Sequence, residues 1–202
     1  MNDSTDTRYS ALKQIRDELL DFKESPLFEY RKKNGFHPVI GEGNHYANIM
    51  FIGEAPGENE AKQARPFCGA SGRILDELLA SIDLKREDVY VTNVVKDRPP
   101  ENRDPSPEEI ELYTPFLDRQ IDIIQPKVLA TLGRFSMKYI MDKFELFMES
   151  GPISKLHGQI FEAPSSWGTV KIIPLLHPAV ALYGASKKGV LLADFKVLKE
   201  FV

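Results

Sequence analysis

Residues 48–60, NIMFIGEAPGENE, indicate the architecture of this chain more clearly than any other stretch. The first five form an almost continuous apolar run, as is typical of a strand buried on both faces of a sheet. A turn with two glycines and a proline follows, and the segment carries three glutamates. Similar apolar runs occur at residues 89–95, 128–132 and 170–176.

Helical patterns alternate with these four runs. Near the N-terminus, apolar residues recur at positions 12, 15, 19 and 22, and Ser4 or Asp6 is a possible N-cap. Ser106 followed by Pro107 is a typical helix start, with serine as the cap and proline at the first helical position. Further helices are predicted around residues 74–79, after Gly133 and at residues 189–202. Strands that alternate with helices imply an α/β fold, here a three-layer α/β/α sandwich with a central four-stranded, mostly parallel sheet.

The chain has the size of one ordinary domain. It has 202 residues, of which 42% are hydrophobic and 28% charged, and we expect a single domain over residues 1–202. The one cysteine, Cys68, excludes an internal disulfide and a metal centre with several cysteines, and this usage fits a reducing compartment. No apolar run reaches the roughly 18 residues of a membrane span, and residues 1–10 lack the features of a signal peptide. We therefore expect a cytoplasmic protein, or a nuclear one in a cell with a nucleus, that does not enter a membrane.

The net charge of −4 argues against an extended basic surface for nucleic acid. It is compatible with a local basic strip that grips a few nucleotides. The candidates for such a strip are Lys96, Arg98, Arg103, Lys187 and Lys188. Each of them is equally compatible with an ordinary solvated surface.

Four side chains suited to chemistry follow the predicted strands. Glu54 and, in the loop beyond it, Phe67 follow the first strand, Asn93 lies near the end of the second, and His177 follows the fourth. Taken singly, Phe67 fits core filling, Asn93 fits a loop anchor and His177 fits a structural histidine. Because the carboxyl ends of parallel strands meet at one edge of a sheet, we expect all four in one crevice. An aromatic face, an amide, an imidazole and a carboxylate together suit the capture of a planar heterocycle.

Several motifs occur in a characteristic order along the chain. They are GEGN at 41–44, MFIGEAPG at 50–57, RPF at 65–67 with Gly69, NVVK at 93–96, RPP at 98–100 with NR at 102–103, QPK at 125–127 with LG at 132–133, and HPA at 177–179. Each motif alone is weak, but in this order the chain resembles the uracil-DNA glycosylase superfamily, most closely its family 4 branch of bacteria and archaea. The resemblance extends from Ser25 to Lys196.

The resemblance implies an activity and roles for individual residues. Such enzymes flip a uracil nucleotide out of DNA and hydrolyse the bond from base to sugar, which leaves an abasic site. Phe67 would stack on the uracil ring, and Asn93 would pair with its N3 and O4 edge. His177 would donate to O2 as the base leaves as an anion, together with backbone N–H groups around Glu54 and Ala55. The candidates for positioning water or stabilising the sugar cation are Glu54, Glu60 and Asn93.

The expected partner is DNA that contains uracil, single-stranded or double-stranded. Glycines and a serine before the second helix could hold a phosphate on backbone N–H groups. The loop at residues 179–188 would enter the minor groove, with Leu182 or Tyr183 as an apolar wedge. The residues that we expect to contact DNA are Gly69, Ser71, Lys96, Arg98, Leu182, Tyr183, Lys187 and Lys188.

The chain departs from the family at four positions. Family 4 enzymes hold a [4Fe–4S] cluster with four cysteines, and the aligned positions here are Phe22, Ser25, Asp97 and Tyr113. These residues are not a replacement set for a cluster that prefers thiolates. We therefore expect no metal and no cofactor, and we predict that the four side chains converge and fill the vacated space.

Three other functions are compatible with the sequence. The first is a glycosylase for another deaminated base, hypoxanthine or xanthine. The second is a non-catalytic domain that binds damaged DNA, although Phe67, Asn93 and His177 argue against it. The third is a nucleotide-binding α/β protein unrelated to repair, which the acidic net charge favours. By analogy we expect a monomer.

Overall fold

The computed structural model describes residues 6–149 and 151–202. The strands are β1 (Glu42–Gly43), β2 (Ile49–Gly53), β3 (Tyr90–Asn93), β4 (Val128–Leu132), β5 (Phe161–Ser165) and β6 (Gly168–Leu175). The α-helices are α1 (Thr7–Leu20), α2 (Phe28–Lys33), α3 (Glu58–Gln63), α4 (Ala70–Ala80), α5 (Pro107–Ile124), α6 (Arg134–Lys143), α7 (Ile153–Leu156) and α8 (Ala185–Phe195). Short 3₁₀ helices lie at Arg86–Asp88, Pro100–Asn102, Pro178–Tyr183 and Lys196–Phe201.

The predicted α/β/α sandwich is confirmed, but in the described part of the chain its sheet has six strands where four were expected. The strand order is β1-β3-β2-β4-β6-β5, and the four predicted strands are the central ones and pair in parallel. The two additional strands, β1 and β5, pair antiparallel at the edges. The sequence pattern missed β1 because it is two residues long, and it missed β5 because that edge strand is largely exposed and carries no apolar run.

Apolar side chains cover both faces of the sheet. On one face Ile15 of α1, Leu117 of α5 and Ile140 of α6 pack over Met50 and Ile52 of β2. On the other face α4 and α8 pack over Ile49 and Phe51 of the same strand, where the Phe51 and Phe195 rings stack with centroids 5.8 Å apart. Alternate residues of a strand point to opposite faces, so a continuous apolar run serves both layers. Within the described residues, no helix has the length and apolar character to cross a membrane.

The predicted helix starts are largely as expected. Asp6 is the N-cap of α1, where its carboxylate accepts from the backbone N–H of Arg8 at 2.9 Å. The alternative cap, Ser4, lies outside the described residues. At α5 the Ser106 hydroxyl accepts from the N–H of Glu109 at 3.2 Å, and the Glu109 carboxylate accepts from the N–H of Ser106 at 2.8 Å. This reciprocal capping satisfies N–H groups that have no partner inside the helix.

The four positions that correspond to cluster cysteines converge, as predicted. The Tyr113 hydroxyl of α5 lies 2.5 Å from Oδ2 of Asp97 and 2.7 Å from Oγ of Ser25. Since a carboxylate only accepts, the tyrosine donates to Asp97 and is free to accept from Ser25. The Phe22 ring meets the Tyr113 ring edge to face, with centroids 5.5 Å apart. These oxygen and aromatic groups fill the site and bond to one another, so they do not fit an iron–sulfur cluster.

Arg31 completes this group of side chains, which we call the Tyr113 cluster (Phe22, Ser25, Arg31, Asp97 and Tyr113). Its guanidinium donates to Asp97 at 2.9 Å and to the carbonyls of Leu19 and Leu20 at the end of α1. Burial raises the pKa of Asp97, while the bonds from Tyr113 and Arg31 act in the opposite direction. Sequence reasoning missed Arg31 because nothing local marks a lysine- and arginine-rich helix end as buried.

Candidate active site

A pocket of about 240 Å³ lies at the carboxyl ends of the parallel strands. This is the location expected for a ligand site in a sheet of this kind. The sequence-predicted residues that line it are Glu54, Ala55, Glu60, Phe67, Ser71, Asn93 and His177. The loop after β3 adds Pro99, Asn102 and Arg103 to the wall. The expected single crevice is therefore present.

Gly53, the last residue of β2, allows two of these side chains to meet. It pairs in register with Asn93 at the end of β3. A Cβ atom at Gly53 would lie 2.3 Å from Oδ1 of Asn93 and 2.7 Å from Cζ of Phe67. Both distances are shorter than van der Waals contact allows, so only glycine lets the amide and the ring sit side by side. Asn93 is 2% exposed, which places a polar amide at the bottom of the pocket.

Phe67 is held in an unusual conformation by its loop. Its φ is +48°, in the left-handed region that bulky residues rarely adopt. A Cβ at Gly72 would lie 1.8 Å from the Phe67 carbonyl oxygen, so this glycine lets α4 approach the loop. The Phe67 ring lies 5.7 Å from the His177 ring, centroid to centroid, at an angle of 33°. A non-glycine residue with positive φ in a pocket is typical of a functional constraint.

The Glu60 carboxylate closes the same loop. Its Oε1 accepts from the backbone N–H groups of Cys68 at 2.9 Å and Gly69 at 2.7 Å. Glu60 therefore holds the segment that carries Phe67, in addition to lining the pocket. The N–H of Gly69 is occupied by this bond, which corrects the expectation that it binds a phosphate. Ser71 still faces the pocket from the first turn of α4.

His177 has a defined tautomer. Its Nδ1 accepts from the backbone N–H of Ala179 at 3.2 Å, so the proton of the neutral ring is on Nε2. Burial lowers the pKa of His177 to about 4, and the nearby Glu60 carboxylate raises it slightly against that effect. The imidazole is thus neutral at physiological pH and offers one N–H donor to a ligand.

The pKa of Glu54, another residue that lines the pocket, is raised, whereas that of His177 is lowered. Burial and the nearby Asp104 carboxylate raise its pKa to about 7, while Arg134 lowers it. The residues that tune it, Asp104 and Arg134, were not singled out by the sequence, because they are far from Glu54 along the chain. A carboxyl group whose pKa lies close to physiological pH can take up and release a proton during a reaction.

Lys96 does not contact DNA, which corrects the sequence prediction. Its side chain is fully buried, and its ammonium group donates to Thr92 Oγ1, the Asn93 carbonyl and Gln120 Oε1 at 2.8, 2.6 and 2.5 Å. Burial holds the pKa of Lys96 well below its usual range. The motif NVVK looked like a strand followed by a surface lysine, whereas the chain turns back and places the lysine inside.

The Arg98 side chain is mostly buried and contacts other residues of the protein. Its side chain is 9% exposed, and its guanidinium donates to Asn102 Oδ1 at 2.8 Å and to the Tyr30 hydroxyl at 3.3 Å. It also lies over the Phe36 ring. Arg98 therefore organises the loop after β3, and its predicted contact with DNA stays a prediction.

The other predicted DNA contacts lie at the surface. Leu182 and Tyr183 are 54% and 78% exposed at the end of the 3₁₀ helix Pro178–Tyr183 that follows His177. The Lys187 ammonium lies 5.6 Å from the centroid of the Tyr183 ring. Lys188 forms an ion pair with Glu77. The apolar tip and the lysines thus belong to the exposed segment that follows the pocket residue His177 in the chain.

Comparison with known proteins gives a consistent picture. The sequence model of the family described as "Uracil DNA glycosylase superfamily" matches residues 40–198. A type-4 uracil-DNA glycosylase of Sulfurisphaera tokodaii is 44% identical over 94% of this chain and 84% of its own length. One from Archaeoglobus fulgidus is 43% identical over 94% and 92%, and one from Thermotoga maritima is 41% identical over 84% and 85%. The likeness covers the strands and loops that build the pocket.

Proposed function

Since the chain belongs to the uracil DNA glycosylase superfamily, we propose that it flips uracil out of DNA and hydrolyses its N-glycosidic bond, leaving an abasic site. The observation that carries the assignment of roles is the meeting of the Asn93 amide and the Phe67 ring over Gly53. A flat ring and a bidentate amide together suit one flipped pyrimidine.

Base recognition comes first in the proposed mechanism. The Phe67 ring stacks on the uracil, and the Asn93 amide accepts from uracil N3–H while donating to O4. Cytosine carries an amino group where uracil has O4, so two donors would face each other and the fit would fail. Because Asn93 is almost fully buried, a mismatched partner leaves its amide without compensation for lost water.

The bond from C1′ to N1 then breaks toward the base. Its electron pair moves onto the uracil ring and develops negative charge at O2, where the neutral His177 donates from Nε2. A neutral donor suits this step, because transfer of a full proton is not needed. Backbone N–H groups around Glu54 and Ala55 would add to this stabilisation.

Water completes the hydrolysis. As it attacks C1′ of the sugar cation, its proton passes to the Glu54 carboxylate, and the products are the uracil anion and the abasic sugar. Glu54 is preferred over Glu60 for this step, because the Glu60 carboxylate accepts two backbone bonds from the Phe67 loop. The negative charge of Glu54 also favours the positive sugar.

The exposed residues that follow His177, together with Ser71, provide the proposed DNA contacts. Leu182 and Tyr183 fill the gap left by the flipped base, and Lys187 and Lys188 lie close to phosphates. Ser71 meets a phosphate from the start of α4. We further propose, by analogy alone, a monomer, and we propose that it acts in the cytoplasm, since a single cysteine fits a reducing compartment.

The test is excision from labelled oligonucleotides that contain uracil, hypoxanthine, xanthine or cytosine, in single and double strands. We expect release of uracil, and we expect Asn93→Ala to lose most of it, on the order of 10²-fold or more in rate. Circular dichroism and melting temperature serve as the control for folding. Near-normal excision by the alanine variant would contradict the role of Asn93, and release of a purine base instead of uracil would contradict the proposed substrate.

A further inference from the structure

A buried polar network lies behind the pocket, on the face of β3 opposite the Asn93 side chain. Its centre is the Lys96 ammonium group, which contacts Thr92, the Asn93 carbonyl and Gln120. Three N–H donors therefore meet three oxygen acceptors, which satisfies the group completely. Burying an ammonium group costs free energy unless it is hydrogen-bonded, and these three bonds offset that cost.

The partners of Lys96 are themselves fixed. The Gln120 amide of α5 donates to the carbonyl of Ile40 at 2.9 Å and to the Tyr90 hydroxyl at 3.1 Å. The Thr92 hydroxyl donates to the same Ile40 carbonyl at 2.6 Å. Lys96 is thus held from two elements, β3 and α5, and its ammonium group has a defined place.

The bond to Asn93 has a particular consequence. Asn93 is the last residue of β3, and in the peptide that follows it the N–H of Val94 donates to the Gly53 carbonyl at 3.0 Å, while the Asn93 carbonyl needs a partner on the other side. The 2.6 Å bond from Lys96 supplies that partner, so the peptide plane after Asn93 is held from both sides, by Gly53 and by Lys96. The direction of the Asn93 side chain depends on that backbone, and Gly53 leaves little room for another direction.

We propose that Lys96 is a positioning residue for Asn93, holding the base-reading amide in place from behind through the Asn93 carbonyl. The proposal rests on the proposed role of Asn93 in reading uracil. It assigns to Lys96, together with Gln120, control over how well the pocket binds uracil, without contact to the base or to DNA.

The central variant is Lys96→Met, which keeps the length of the side chain and removes its donors. We expect the single-turnover rate of uracil excision to fall on the order of tenfold to a hundredfold, as is typical when a reacting group is slightly misplaced. Inhibition by free uracil weakens, since the amide no longer meets the base edge. Affinity for DNA with an abasic site stays within about twofold, because no DNA contact is changed.

A double-mutant cycle separates this role from others. In the Asn93→Ala background, Lys96→Met is expected to cause no further loss of excision rate, because its target is gone. An equal loss in both backgrounds would overturn the proposal and place the effect of Lys96 elsewhere. If Asn93→Ala alone left excision intact, the proposed function of Asn93 would fail instead, so the two failures are distinguishable.

The matched control is Tyr90→Phe. It removes a hydroxyl that contacts Gln120 in the same network and does not touch Asn93. We expect a lower melting temperature with excision within about twofold of the parent. A slowing equal to that of Lys96→Met would mark the network as a general support and overturn the proposal. If the methionine variant melts below the assay temperature, Lys96→Gln, which keeps an N–H donor, takes its place in the cycle.

Discussion

At the scale of single residues, the pocket combines a neutral imidazole with a carboxyl group poised to titrate. Burial favours the uncharged form of both groups, so it moves their pKa values in opposite directions. The pKa of His177 falls to about 4 and that of Glu54 rises to about 7. Two groups that line the same pocket are therefore suited to different tasks, one as a donor and the other as a proton acceptor.

For His177, we expect substitution by alanine to lower the single-turnover excision rate by about 10²–10³-fold, the usual cost of losing one donor at a developing anion. Equilibrium binding of uracil DNA should change far less, because the donor acts mainly in the transition state. Both quantities can be measured on the same oligonucleotide. Equal losses in rate and affinity would instead identify His177 as a binding residue.

For Glu54, we expect the excision rate to rise with pH and level off above a midpoint near 7, since the carboxylate is the active form. Glu54→Gln should remove this dependence and lower the plateau by about 10²-fold or more. The same raised pKa predicts the sign of the effect on folding. Its stabilising contribution is complete below pH 4.5 and is lost as the pH rises through about 7. An excision rate of the unsubstituted protein that stays constant from pH 5 to 9 would contradict the role of Glu54 as proton acceptor.

At the scale of elements, α5 connects the sheet to the loop that lines the pocket. Tyr113 holds Asp97 and Gln120 holds Lys96, so two adjacent residues after β3 are fixed by two positions on the same face of one helix. The loop from Arg98 to Arg103 begins where these contacts end. Its position over the pocket therefore depends on α5.

The prediction at this scale concerns Tyr113→Phe. The change removes the bonds to Ser25 and Asp97 inside a buried cluster, and we expect about 1–3 kcal/mol of lost stability in urea unfolding. Tyr139→Phe is the matched control, because its hydroxyl bonds to the partly exposed Asp118 at 2.7 Å and should cost less. Equal costs for the two variants would argue against a special role for the Tyr113 cluster.

Iron analysis and visible absorption of the purified protein complete the test, and we expect neither iron nor colour.

At the scale of the whole molecule, the charge is acidic while the substrate is a polyanion. We expect a shallow dependence of DNA affinity on salt, since only a few phosphates are contacted. Lys187→Ala should weaken binding for every sequence and reduce the salt slope by about one. Lys188→Ala should reduce it less, because Glu77 already offsets that charge. Both variants should excise the same base as the parent, and unchanged affinity in both would move the DNA to another face.

The sequence predicts those elements of the fold whose burial requires a recognisable pattern of apolar residues. The four central strands are almost continuously apolar, and Asp6 and Ser106 are helix caps that local chemistry explains. The edge strands escaped because a strand that is short or half exposed has no such pattern. The pocket residues could be predicted because the carboxyl ends of parallel strands lie at one edge of the sheet, whatever the path of the connecting loops.

The errors share one physical cause. Lys96 and the N–H of Gly69 were expected to face DNA, and each is occupied within the protein. Composition gives the charge or the donor but not its direction, which depends on partners such as Gln120 and Glu60 that are distant in the chain. The convergence at Tyr113 was predictable from the family resemblance, which aligns these four positions with cluster cysteines, together with the rule that a closely packed interior leaves no large void.

The Tyr113 cluster has a consequence for how the protein matures. All the groups that hold this cluster together are side chains of the protein. The cluster can therefore form as soon as the chain folds, without the insertion of an inorganic cofactor at these positions. Hydroxyl, carboxylate and guanidinium groups are also outside the oxidation chemistry that damages thiols. The packing at these positions therefore depends neither on a supply of iron nor on the redox state of a thiol.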